Sequence, residues 1–190
     1  MFTATAASQE LRETTPSISI PKVSRPPKLN DFLTGAPREA ETVVTDFRQM
    51  DPRDGAPVSQ PTTAYLSYDD KNLYVKMDFT ADNTMDGGKD YAKVSVKTKS
   101  GLKEFRVSVP ETTWGNADFT YTDKVSYQHK VYDFVIPLAE VGATEQNAKE
   151  VQIAFTAYGT ASPGDHKPIV MHDLQNNRYM LFFARGGSSS

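Results

Sequence analysis

The chain contains no cysteine and a single tryptophan, Trp114. Without thiols there is no disulfide framework, no thiolate zinc site and no cysteine nucleophile. Positive charge is also in short supply. The 21 Lys and Arg against 24 Asp and Glu leave a formal net charge of −3, and no basic run is present to gather phosphates, so nucleic acid is not an expected partner. No stretch approaches the ~20 apolar residues that a membrane-spanning helix needs, and no transmembrane segment is expected. Met1 to Ser8 has neither the basic nor the apolar region of a signal peptide. Only three histidines are available, and His166 and His172, flanking Pro168, read as two solvated loop residues. There is no Gly-x-Ser-x-Gly elbow, no phosphate-cradling glycine loop and no local carboxylate pair of the glycosidase kind. An enzyme is the least supported class, and no catalytic residue is expected.

What the chain does have is strand pattern. With 190 residues and 38% hydrophobic content it can bury one real core but not two. Leu73, Val75, Met77 and Phe79 alternate with Tyr74, Lys76, Asp78 and Thr80, which is the period of two of a half-buried strand. The alternation recurs over Ala92 to Lys97, Phe105 to Val109 and Val131 to Ile136, with Lys99-Ser100-Gly101 as a turn between the first two. Thr62 to Tyr68, Val151 to Tyr158 and Arg178 to Ala184 add further strands, and Pro137 to Gly142 reads as a short helical turn ended by glycine. No long helical pattern competes. The expected fold is an all-β antiparallel β-sandwich, jelly-roll or immunoglobulin-like, of roughly eight to ten strands. It spans residues 21–185, preceded by a polar arm over residues 1–20 and followed by a Gly/Ser tail over residues 186–190. Within the arm, Ser17-Ile18-Ser19-Ile20 is a candidate edge strand stopped by Pro21. It can finish this sandwich or pair with a neighbouring molecule.

One stretch is more distinctive than the rest. Phe47-Arg48-Gln49, Asp51-Pro52 and Asp54-Gly55-Ala56-Pro57 form a loop that leads to Thr62-Thr63, Tyr68-Asp69-Asp70 and Asn72-Leu73-Tyr74. Together with Arg25-Pro26-Pro27-Lys28-Leu29 and Asp31-Phe32-Leu33 upstream, this combination resembles the family 9 carbohydrate-binding-module-like domain. The likeness is greatest to the version at the N-terminus of bacterial envelope proteins that carry a further C-terminal domain of unknown function. The match covers roughly residues 22 to 80, with a looser fit at Val131 to Gly142. The resemblance implies a β-sandwich, a place outside the cytoplasm (periplasm, cell surface or medium) and the possibility of structural calcium. Sugar-binding members grip the ligand between two tryptophans, and this chain departs from them in having one.

Sugar sites need a flat ring for the apolar side of a pyranose and planar polar groups for its hydroxyls. Trp114, in the polar run Thr112 to Asp118, is the candidate platform, with Asn116 beside it and Tyr121, Tyr127 or Tyr158 as a second wall. The alternative role for Trp114 is a plug at one end of the sandwich, which the usual burial of large aromatics favours. Gln175, Asn177 and Arg178 offer amides and a guanidinium, or a simple Asn-rich turn. Asp78, Asp82 and Asp86 are hard oxygen donors close in sequence and form a candidate calcium set, the one cofactor expected as an option. Two functions follow. The first is a non-catalytic carbohydrate-binding module that recognises a glycan in the cell envelope or outside the cell. The second is an envelope assembly protein that forms homo-oligomers by strand addition through Ile18 and Ile20.

Overall fold

The computed structural model describes residues 17–33, 41–48, 61–83, 90–142, 151–160, 168–171 and 179–183. In chain order these form β1 (Ser17–Ile20), α1 (Leu29–Leu33), β2 (Thr42–Val44), β3 (Thr62–Tyr68), β4 (Asn72–Phe79), β5 (Tyr91–Thr98), β6 (Gly101–Val107), β7 (Gly115–Thr120) and β8 (His129–Pro137). They continue with α2 (Leu138–Val141), β9 (Gln152–Thr160), β10 (Pro168–Met171) and β11 (Tyr179–Phe183).

The local chemistry of the hairpins is visible. Between β3 and β4, the Asp69 carboxylate accepts the backbone N–H groups of Lys71 and Asn72, each at 2.8 Å, which is the side-chain-built turn that Asp favours. The Tyr74 hydroxyl donates to the same carboxylate at 2.5 Å. Burial first, and that bond second, push the Tyr74 hydroxyl up to about 12. Between β5 and β6 the reversal takes only Lys99 and Ser100, closed by Gly101 at φ 117°. The expected helical turn after β8 is α2, and it ends at Gly142, whose left-handed backbone returns its N–H to the Leu138 carbonyl at 3.0 Å.

The strands make two sheets. Sheet A runs β1-β11-β9-β5-β6, with β10 also paired to β9, and sheet B runs β2-β3-β4-β8-β7. Among the described strands every pairing is antiparallel except β1 with β11. The β-sandwich expected from alternation is therefore present, with eleven strands among the described residues. The additional ones are β2, only three residues long, β10, and β7, whose polar sequence hides it.

Between the sheets, Leu66, Val75, Met77, Phe79, Tyr132, Phe134 and Ile136 of sheet B meet Val94, Val96, Phe105, Val107, Ile153 and Phe155 of sheet A. Each such side chain contributes on the order of 1.5–3 kcal/mol of transfer free energy when fully buried. The two lateral openings of the sandwich are closed differently. On one side β1 meets β2, where the Thr42 hydroxyl donates to the Ser19 carbonyl. On the other side β6 faces β7, and Trp114 fills the gap edge-on against Phe105, with ring centroids 5.1 Å apart.

Candidate functional site

β7 is an edge strand with few apolar side chains, so its place is fixed by backbone fit. A Cβ on Gly115 would lie 1.9 Å from the Asp133 carbonyl oxygen. Glycine alone lets β7 close onto β8 there. Just before it, the Trp114 carbonyl accepts the Val135 N–H at 2.8 Å, and Trp114, half-buried, packs against the core. Beyond Gly115 the strand alternates, so Ala117 packs on the core while Asn116 and Asp118 lie on the outer face of sheet B.

The pairing registers align that outer face into rows. Val43, Tyr65, Lys76, Asp133 and Asn116 are successive cross-strand partners from β2 to β7. The next row is Thr63, Asp78, Val131 and Asp118. Over β3 and β4 this face is closed to solvent, with Tyr65, Ser67, Tyr74, Lys76 and Asp78 all buried. Solvent returns toward β7, where Asp133 and Asp118 are half-buried and Asn116 is exposed.

Charge follows the same gradient. The Lys76 ammonium, on a side chain only 2% exposed, sits 2.7 Å from the Asp133 carboxylate. Asp118 lies diagonally across from Asp133, and its carboxyl is raised above the usual carboxylate range. Burial is the main cause and the Asp133 charge the second, with Lys76 pulling the other way. The outer face at this edge therefore presents an amide, a carboxylate paired with lysine and a second carboxylate whose pKa is raised, while the half-buried indole of Trp114 packs on the core side just before the strand. These are hydrogen-bonding groups for a polar, uncharged or cationic ligand.

The far end of β7 is organised by His129, which is fully buried. Its Nε2 lies 2.5 Å from an Asp78 carboxylate oxygen and its Nδ1 3.0 Å from the Tyr127 carbonyl. An acceptor at each ring nitrogen, with the Thr122 hydroxyl 3.3 Å from Nε2 as a further neighbour, suits an imidazolium. Burial opposes that charge, but the hydrogen bond and charge of Asp78 and the Tyr127 carbonyl outweigh it and raise the imidazole above its ordinary value.

The expected site residues thus divide. Trp114 and Asn116 stand at the start of β7. Tyr121, 54% exposed, and Tyr127, edge-on to His129 at 6.1 Å, stand beyond its end. The six residues of β7 at ~3.3 Å each put Trp114, just before the strand, about 20 Å from its far end, so the two groups do not converge. Tyr158 is on the other sheet, stacked at 5.1 Å on Tyr91, whose other neighbour is the Arg106 guanidinium at 3.9 Å. Gln175, Asn177 and Arg178 lie outside the described residues.

Of the calcium candidates, Asp78 is engaged by His129, while Asp82 is fully buried against Gly159, where even a Cβ would come within 2.5 Å of its carboxylate oxygen. Asp86 lies outside the described residues, among which no group of three or more metal-ligating side chains occurs. Ile18 and Ile20 belong to β1 and face the core.

Sequence reasoning missed Lys76, Asp118 and Asp133 as site residues. Alternation put Lys76 and Asp133 on the outer faces of their strands, but only the register of β4, β8 and β7 brings them together.

Among solved structures the chain is similar to a carbohydrate-binding module of family 9 from Caldicellulosiruptor kristjanssonii in complex with cellotriose. The TM-score is 0.53 with 10% sequence identity, and the match covers 90% of this chain and 97% of that chain. At that identity the likeness establishes the fold. No family model and no curated protein matches the sequence.

Proposed function

We propose that the protein is a non-catalytic carbohydrate-binding module acting outside the cytoplasm, and that it engages a glycan along the β7 edge. The observation that carries the reading is the row Lys76, Asp133 and Asn116 on the outer face of the strand edge that the half-buried Trp114 precedes. It lies on a sandwich of the kind that, in the C. kristjanssonii module, holds cellotriose. Asn116 and Asp118 would meet hydroxyls, Lys76 fixes the Asp133 carboxylate, and the exposed part of Trp114 would take the apolar side of a sugar ring. One indole in place of two predicts modest affinity, since a stacked ring contributes on the order of 1 kcal/mol.

The test separates binding from folding. Asn116 is exposed and makes no core contact, so Asn116→Ala should leave the denaturation midpoint unchanged. On whichever oligosaccharide an array identifies, it should weaken binding about fivefold, the loss of one hydrogen bond of about 1 kcal/mol. Unchanged affinity in a folded Asn116→Ala variant would move the site away from β7.

A further inference from the structure

The N-terminal strand is joined to the rest of the domain in an unusual way. Among the described residues β11 is its one strand partner, in parallel register from Ser17 opposite Met180 to Ile20 opposite Phe183. Its apolar side chains are part of the core: Ile20 is 0% exposed and Ile18 packs beside it. After Pro21 the chain leaves sheet A and crosses to sheet B. There the Pro21 carbonyl accepts the Tyr68 N–H at 3.1 Å and the Val23 N–H donates to the Tyr68 carbonyl at 2.8 Å. Then comes Ser24-Arg25-Pro26-Pro27-Lys28, five residues outside any helix or strand, with Ser24, Arg25, Pro26 and Lys28 exposed.

We propose that residues 17–23 are an exchangeable strand and that their alternative seat is the same position in a second copy of this chain. The seat is complementary to that partner by construction, because a copy's β1 would restore every contact with β11, Tyr68 and the core. What differs between the closed and exchanged forms is the connection alone. In the closed form it is Ser24 to Lys28, and the two prolines hold it extended. Across those prolines the Arg25 guanidinium meets the Asp31 carboxylate at 3.2 Å, and the same carboxylate accepts the Lys28 N–H at 3.0 Å, so local contacts to the start of α1 span the hinge. A short, exposed, proline-stiffened hinge next to an edge strand that contributes a whole core residue is the arrangement in which exchange is cheap. Because a chain's own strand is present at an effective concentration near millimolar, exchange should require high protein concentration or refolding under crowded conditions. The inference is independent of glycan binding, since β1 and β7 lie at opposite sides of the sandwich.

The absence of cysteine makes the test clean. Ser19 and Phe182 are register partners on β1 and β11, so Ser19→Cys with Phe182→Cys reports whose strand sits in whose seat once oxidised. Refolding from urea at micromolar and at near-millimolar concentration, then oxidation and a non-reducing gel, should give intramolecular bonds at the low end. At the high end covalent dimers should appear, and Pro26→Ala with Pro27→Ala should reduce their fraction. If the cysteine pair fails to fold, the unaltered chain refolded over the same range is weighed by light scattering. A dimer fraction that rises with refolding concentration supports exchange. Intramolecular bonds alone at every concentration, or a monomer throughout, overturns it.

Discussion

Gly115→Ala is the sharpest probe of how β7 is held. The added methyl would sit 1.9 Å from the Asp133 carbonyl oxygen, 2.8 Å from its carbon and 2.9 Å from the Phe134 Cα. All three are backbone atoms of β8, which is clamped between β4 and β7, so no side chain can swing aside to make room. Either β8 strains or the start of β7 lifts. Strain of this kind costs ~1–3 kcal/mol. Lifting would also release the edge-on contact of Trp114 with Phe105, worth ~0.5–1.5 kcal/mol beyond burial, and expose part of the indole. We expect a loss of about 2–4 kcal/mol by urea denaturation, a large share of the ~5–15 kcal/mol that holds a domain of this size. Because Trp114 is the single tryptophan, its fluorescence reports the same event, with a red-shifted maximum in the folded variant. Gly115→Ala with unchanged stability and an unshifted spectrum would refute the close approach of β7 to β8, and with it the row that places Asn116 beside Asp133.

The buried His129 should make stability depend on pH. Its native pKa is raised above the ordinary value of 6.5, so its contribution is fully present below about pH 6.5 and is lost as pH rises through the native pKa. Denaturation midpoints should therefore fall on the alkaline side of neutrality, and Asp78→Asn should lower stability at pH 6 and flatten the profile, because without Asp78 burial favours the neutral imidazole. A flat profile from pH 6 to 9 in the unaltered chain would argue against the imidazolium. Asp118 should behave in the same sense in a more acidic window, since its carboxyl is also raised and the native state gains relative stability as pH falls through that value toward the ordinary carboxylate range. Asp118→Asn should be no less stable at pH 7 by urea denaturation. In titration calorimetry it should weaken binding of an amine-bearing oligosaccharide more than that of a neutral one of equal length.

The sequence revealed faces but not neighbours. Alternation is plain in β4, in β5 and in the Phe105–Val107 half of β6 because one side of each is a hydrophobic core, so these strands and the two-layer architecture could be read from single residues in series. β7 escaped because its fit depends on one glycine and a partner's carbonyl, a fact of three dimensions. The same limit applied to the site. Trp114 was legible because it is the only tryptophan, and Asn116 because it adjoins Trp114. Tyr121 and Tyr127 were grouped with them by nearness in sequence, which an intervening extended strand turns into about 20 Å of separation.

The Lys76–Asp133 pair bears on what the outer face of sheet B is for. A lysine 2% exposed must shed nearly all its water, and an ion pair in such a place adds little stability over two well-packed apolar side chains. Its effect is instead local. It pins one carboxylate in orientation and offsets part of the charge that Asp133 turns toward Asp118. Without Lys76, Asp133 and Asp118 would repel each other across the diagonal and the edge would hold a net charge of two. With it, the edge is close to neutral when Asp118 is protonated and singly negative when it is not. That is a surface suited to hydroxyls and amines and unsuited to carboxylated or sulfated sugars. The chemistry of the β7 edge is thus set from two strands away, by a residue that solvent barely reaches.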